Sequence, residues 1–422
     1  MVNLRIPPIA VGPLGSLRAL DRLNFFLAAL QSGFGPFVAV HLADRGWAPA
    51  TIGFVLTASG LAGLATQVPA GELLDLVRSK RALVGAGSLT VAVAALILGL
   101  SPSFAAVLVA SLADGATGGV LGLGIAAISL GLVGHDGAAR RFGRNQRFAS
   151  LGSLVAAALM GIIGYLLSTE DIFFATAALG LPVLLALAAI HAADIHFARS
   201  CCGQAEHPET RPQRARRGAL LRDRRLLVFA VCLFLFQLAN ASLLPLLGET
   251  LVHAEGRQSS LILSALLVVP QLVVALAAPW AGEAANRWGR RPLLLLGLGV
   301  VPIRSLSFAA TTSPALLVAA QALDGITGAT LGVLTSLVIA DVTQGTGRFN
   351  LAQGFVGTLS GIGASLSTLL SGVTVTAFGP AAGFLGVTAV AVAAVAILWT
   401  LMPETKPLAA SASASAAAAP RT

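Results

Sequence analysis

The chain is short of charge. Aspartate, glutamate, lysine and arginine together make up only 11% of its 422 residues, where a soluble domain carries roughly 25%. So few charges cannot cover a water-exposed surface, which excludes an ordinary soluble enzyme or binding domain. Cysteine occurs three times; Cys201 and Cys202 are neighbours, so no disulfide framework is expected. No GxxxxGK[ST] phosphate-binding loop occurs, which removes ATP as the direct energy source. The apolar stretches hold no His–carboxylate metal set and no Ser/His/Asp grouping, so the expectation is a protein that is not an enzyme and needs no cofactor.

What fills the space is apolar. Hydrophobic residues are 56% of the chain and the mean hydropathy is +0.86. Runs of about 20 apolar residues, each long enough to cross a ~30 Å hydrocarbon layer as a helix, recur from end to end. Run lengths and turn residues predict twelve spans, at 17–41, 50–70, 82–101, 103–133, 145–168, 171–195, 224–252, 257–281, 292–311, 313–342, 349–378 and 380–402. The expected fold is an all-α polytopic membrane protein.

Basic residues sort the loops. Of the 27 lysines and arginines, 24 fall in the N-terminal segment, the loops 71–81, 134–147, 196–225 and 282–291, Arg348, Lys406 and Arg421. The loops of the other side hold only Arg45 and Arg257. Such a bias places both termini and the central loop in the cytoplasm, in the plasma (bacterial inner) membrane. The net charge of +9 is therefore topological, and no nucleic-acid partner is expected. The N-terminus shows no signal peptide, and the tail LAASASASAAAAPRT is low-complexity. The expected organisation is a cytoplasmic segment 1–16, a six-helix bundle 17–195, a linker 196–223, a second bundle 224–402 and a disordered tail 403–422.

The chain repeats itself. LDGITGATLG (323–332) matches ADGATGGVLG (113–122), GEAANRWGRRP (282–292) answers GELLDLVRSKR (71–81), and Asn350 and Gly357 answer Asn145 and Gly152. Three blocks in one order at similar offsets point to two homologous six-helix halves. Equal span numbers give the halves the same orientation, related by an axis along the membrane normal.

With these loops the chain resembles the major facilitator superfamily (MFS) of secondary transporters over essentially its whole length. The superfamily loop after the second span runs Gly, three residues, Asp, Arg/Lys, any residue, Gly, Arg, Arg/Lys. The second copy fits with Gly282, Arg287, Gly289, Arg290 and Arg291, and has Asn286 at the Asp position. The first keeps Gly71, Asp75 and Lys80. The resemblance implies two pseudo-symmetric bundles rocking about a central cavity, with these loops latching the cytoplasmic side; the same arginines also serve as topological anchors. Drug/proton antiporters often carry Arg, then Gly four residues later, in the fourth span, and a Gly-Pro motif in the fifth. Here Asp114 and Gly118 stand in the fourth span, and SLGSLVAAALMGIIGYLL contains no proline.

Two carboxylates, Asp114 and Asp324, sit near mid-bilayer. An ionised group there must face water or a cation, pair with a base, or take up a proton. The alternative is a hydrogen bond across a tight helix contact, with Gly118 and Gly122 as the small-residue face. Arg304, deep in the preceding span, lies at nearly the depth of Asp324, so an Arg304–Asp324 ion pair is expected and Asp114 is left as the better coupling group. Asn24, Gln31, Gln237 and Asn240 either bind solute or join helices; Gln31 and Asn240 align when Pro36 is matched to Pro245. Asp21 reads as an end charge, and Asp341 calls for Arg348 or Arg290 as partner. His191, His196, Cys201, Cys202 and His207 match no zinc spacing. The sequence thus points to a monomeric secondary transporter in the lipid bilayer, moving a small-molecule substrate with protons as coupling ion. Efflux of a lipophilic or cationic compound is favoured over metabolite uptake by symport, and an embedded enzyme or receptor is the remote alternative.

Overall fold

A computed structural model describes residues 14–100, 103–196, 222–247 and 259–406, and among them the chain is helical with no strand. The helices are α1 (Leu14–Asp44), α2 (Pro49–Leu76), α3 (Lys80–Leu100), α4 (Phe104–Leu166), α5 (Thr169–Ala178), α6 (Gly180–Ala188), α7 (Arg224–Asn240), α8 (Ser259–Trp288), α9 (Arg291–Ala310), α10 (Pro314–Val342), α11 (Phe349–Phe378) and α12 (Pro380–Leu401). Local signals set their starts. Ser103, Ser168 and Asp223 accept the first free N–H groups of α4, α5 and α7, and prolines open α2, α10 and α12, where the missing N–H costs nothing.

Eleven helical stretches are long and apolar enough to cross a membrane. One is α4, whose 63 residues would span about 95 Å at 1.5 Å per residue, three times the hydrocarbon thickness. It is two crossings, 104–133 and 135–166, divided at Gly134 (φ 67°), a backbone conformation that glycine alone adopts freely. α5 and α6 together form a single crossing. The count is therefore twelve, and the even number places residues 14 and 406 on one face, called here the terminal face.

The expected loop 134–147 is corrected: apart from Gly134 it is helix. Its arginines are on a helix because two of them have a buried partner in α1. Asp21 accepts from Arg141 at 2.5 Å and from Arg144 at 2.7 Å and is only 5% exposed, so it is a structural centre and not an end charge. Of the expected linker 196–223, residues 197–221, which include Cys201, Cys202 and His207, lie outside the described residues.

The halves meet mainly along two contacts, α2 with α11 and the second limb of α4 with α8. Both are built from glycine against backbone. A Cβ on Gly71 would strike the carbonyl oxygen of Asn350, and one on Gly282 that of Ala139; Gly354 abuts the Gln67 carbonyl and Gly143 that of Ala278. Each pair maps onto its counterpart by the same shift of 211 residues. That shift corrects the third repeat block. Gly152 packs on the backbone of Phe25 and Gly363 on that of Phe234, so Gly152 answers Gly363 and not Gly357, and Ala139 rather than Asn145 answers Asn350. Near the terminal face α2 and α11 are buried (Ala70, Leu74, Asp75; Phe349, Asn350, Leu351). Beyond Leu64 and Gly361 they are mostly exposed. The halves are thus joined at the terminal face and part toward the other.

Candidate functional site: a cavity between the halves

A cavity of about 640 Å³ lies between the halves, within the usual size range for small-molecule sites. Gln67 of α2, Gly118, Gly119, Gly122 and Gln146 of α4 line it from the first half. Gln237 and Asn240 of α7, Asp324 and Ser336 of α10, and Gln353 of α11 line it from the second. Of the residues singled out in the sequence, Gln237, Asn240 and Asp324 are here. Asn24 is not: it is 4% exposed, its amide donates to Leu20 O at 2.7 Å and Asn145 Oδ1 at 3.2 Å, and it belongs to the Asp21–Arg141–Asn145 network that ties α1 to α4. Gln31 is exposed on α1 and not part of the lining.

Arg304 and Asp324 are joined. The Arg304 guanidinium, 3% exposed, donates to the Asp324 carboxylate and to the side-chain oxygen of Asn240. The link ties α9 to α10 and α7 beside the cavity, with one carboxylate edge of Asp324 left toward it.

Asp114 differs. It is half-buried, and its carboxylate makes no hydrogen bond or ion pair among the described residues. It does not line the cavity; Gly118, one turn on, does. The tight-contact alternative for it also fails in detail, because Gly118 and Gly122 have open space where a Cβ would stand, whereas Gly115 presses on the Ser59 backbone and Gly119 on Gln67. The packing face of this helix is one residue away from the face the sequence suggested.

The gate-loop residues divide by role. Asp75 accepts from the backbone N–H of Asn350 (3.1 Å) and Leu351 (2.9 Å) and from the Asn350 amide (2.8 Å). A first-half carboxylate thus caps the start of α11, where free N–H groups and the helix dipole favour an anion. Lys80 donates to the carbonyls of Leu74 and Val77 and caps α2 within its own half. Arg290 donates to Asp341 at 2.8 Å; Arg291 donates to the Trp399 carbonyl; the Arg287 side chain is exposed. Sequence reasoning missed two contacts on this face. His135 Nε2 approaches Asp341 Oδ1 to 2.8 Å across the halves, off the hydrogen-bonding direction. Glu404 accepts from the N–H groups of Arg290 (2.8 Å) and Arg291 (3.1 Å), and its carboxylate fills the space beside Gly289 (φ +95°).

Two predictions arise here. Gly282→Leu cannot fit against the Ala139 carbonyl and should force the halves apart at the terminal face. Maleimide labelling of a cysteine placed at Ala352, fully buried now, should rise several-fold in a background with Cys201, Cys202 and Cys232 replaced by Ser. For Glu404, burial pushes the carboxyl up, but the N–H groups of Arg290, Lys406 and Arg291 and the Arg290 charge outweigh it and hold the group below its usual value of 4.5. A lowered folded pKa adds stability that is complete above the unfolded value and is lost as pH falls through the folded one. Glu404→Gln should therefore melt below wild type at neutral pH, and the gap should close on acidification below about pH 4.5.

Two homologous helical halves around a shared cavity, joined at one face, are the architecture of a membrane transporter that works by alternating access. The model of the Major Facilitator Superfamily matches residues 23–255 and 229–421, and the chain belongs to that family. It is 37% identical over 392 residues to an uncharacterized MFS-type transporter of Mycobacterium tuberculosis, covering 92% of this chain and 93% of that protein. The class B tetracycline resistance protein of Escherichia coli is 36% identical over 107 residues, 25% of this chain and 26% of that one. Among solved structures, the Escherichia coli fucose:proton symporter superposes with a TM-score of 0.72 at 15% identity, covering 92% of this chain and 98% of that one. The human organic anion transporter MFSD10 gives 0.69 at 18%, covering 92% and 100%. At such identities these two show the fold.

Proposed function

We propose that this MFS transporter is a secondary active exporter of a small solute, coupled to protons through Asp114, with its terminal face in the cytoplasm. The observation that carries the reading is the half-buried Asp114 carboxylate, without a partner among the described residues, one turn from the wall of a cavity shared by both halves. An intramembrane carboxylate with no counter-charge is held more easily as the acid, and it ionises when rearrangement brings water to it. Asp324, by contrast, has a permanent counter-charge in Arg304 and serves structure and solute contact. Lysine and arginine concentrate on the terminal face, which supports a cytoplasmic placement. The partial similarity to tetracycline resistance proteins supports export.

The test is transport by purified protein in liposomes with and without an imposed pH gradient, using a solute panel. Wild type should accumulate its solute against a gradient only when ΔpH is present and should move protons when solute is added. Solute movement indifferent to ΔpH would end the proton reading and leave a uniporter.

A further inference from the structure

We infer that the cavity selects an uncharged solute rich in hydroxyl or amide groups, and not the lipophilic cation that the apolar spans suggest. The inference deepens the transport reading and rests on it. Three observations on the cavity wall carry it.

The first is charge. Among the described residues Asp324 is the only ionisable side chain in the lining, and Arg304 already occupies one of its carboxylate oxygens. The wall is therefore neutral overall. A cation entering would leave water without gaining an uncompensated negative charge, and an anion would meet Asp324 before the buried Arg304; an ion is desolvated here at a net cost. An uncharged solute pays no such penalty.

The second is hydrogen-bonding capacity. Five carboxamides line the space, Gln67, Gln146, Gln237, Asn240 and Gln353, together with serine and threonine hydroxyls. Carboxamides both donate and accept, which suits hydroxyl and amide groups that do the same. They come from both halves, so a solute bridging them would be held by α2 and α4 on one side and α7 and α11 on the other.

The third is that several of these amides are oriented and incompletely used. Arg304 takes the side-chain oxygen of Asn240, which leaves the Asn240 NH2 group as a donor. The Gln353 NH2 donates to Ser336 at 2.8 Å, and its oxygen is buried with no partner among the described residues; the Gln67 oxygen is likewise without one there. Amides that served only to join helices would have both ends engaged. A small rotation brings either oxygen to a solute O–H or N–H, and a buried acceptor left unpaired is destabilising until it finds such a donor. Glycine makes the room: a Cβ on Gly119 or Gly357 would collide with the Gln67 side chain, and one on Gly332 with that of Gln146. Gly119 and Gly332 belong to the two copies of the Asp-Gly repeat, which thereby acquires a purpose apart from its aspartates.

The test is counterflow in liposomes containing the full-length protein, which needs no ion gradient. The labelled probes are a set of uncharged C4–C6 polyols and hexoses, tetraphenylphosphonium, and a short monocarboxylate. The expected result is saturable counterflow of at least one uncharged probe and none of the two ions. Gln353→Ala and Gln67→Ala should each raise the half-saturating concentration about tenfold, the equivalent of one lost hydrogen bond, in protein that melts like wild type. Saturable counterflow of tetraphenylphosphonium or the carboxylate, with the uncharged probes excluded, would overturn the inference and leave the transporter standing. Absence of counterflow for every probe would overturn both.

Discussion

Asp324→Ala is expected to destabilise the protein by about 3–5 kcal/mol, the range for removing one partner of a buried ion pair. The asymmetry of burial sets the direction. Arg304 is 3% exposed and would be left with one amide oxygen for a full charge, and its Nε already lacks a partner. The reverse change, Arg304→Met, should cost less, because the Asp324 side chain keeps 30% exposure toward the cavity and can hydrate or protonate. Arg304→Met combined with Asp324→Asn should recover most of the loss, since no charge then remains buried. Thermal melts of the four proteins in one detergent make the measurement. If the double mutant melts no higher than Asp324→Ala, the pair is not what holds α9 to α10.

The second large effect is on coupling. Asp114→Asn keeps the size and polarity of the side chain but cannot release a proton, and the native carboxylate has no partner to lose among the described residues. Stability should change little. Gradient-driven accumulation should fall at least tenfold while counterflow persists, the division expected when a group serves coupling and not solute binding. Proton movement on adding solute to mutant liposomes reads this directly, and normal proton movement in Asp114→Asn would rule it out.

How much of this could be read from the sequence depends on the range of the interaction. The crossings, their common orientation and the Arg304–Asp324 pair follow from local composition, because hydrocarbon forbids unpaired backbone groups and isolated charges, and depth along a helix can be counted. The sequence offers Arg348 or Arg290 as the partner of Asp341, and the structure places Arg290 there. Side-chain azimuth was less legible. Gly118 and Gly122 share a stripe with Asp114, yet tight packing uses Gly115 and Gly119. Nothing in a span that is apolar all round says which stripe meets a neighbour.

The polar residues show the same division. Asn24 and Gln237 look alike in sequence; one is buried and bonded to Leu20 O and Asn145, and the other lines the cavity. Gln67, Gln146 and Gln353 line the cavity, and three glutamines inside apolar helices are a signal readable in the sequence. His135 and Asp341 are 206 residues apart, and only the closing of the halves brings them to 2.8 Å.

The sequence by itself determined that this chain crosses the membrane twelve times in two like halves, because the cost of exposing backbone and charge to lipid is imposed residue by residue. Only the tertiary structure decided which face is joined, which glycines the joints need, and which amides look into the cavity. Those depend on how helices rotate and pack against one another, and packing is a property of pairs of surfaces that no single span records.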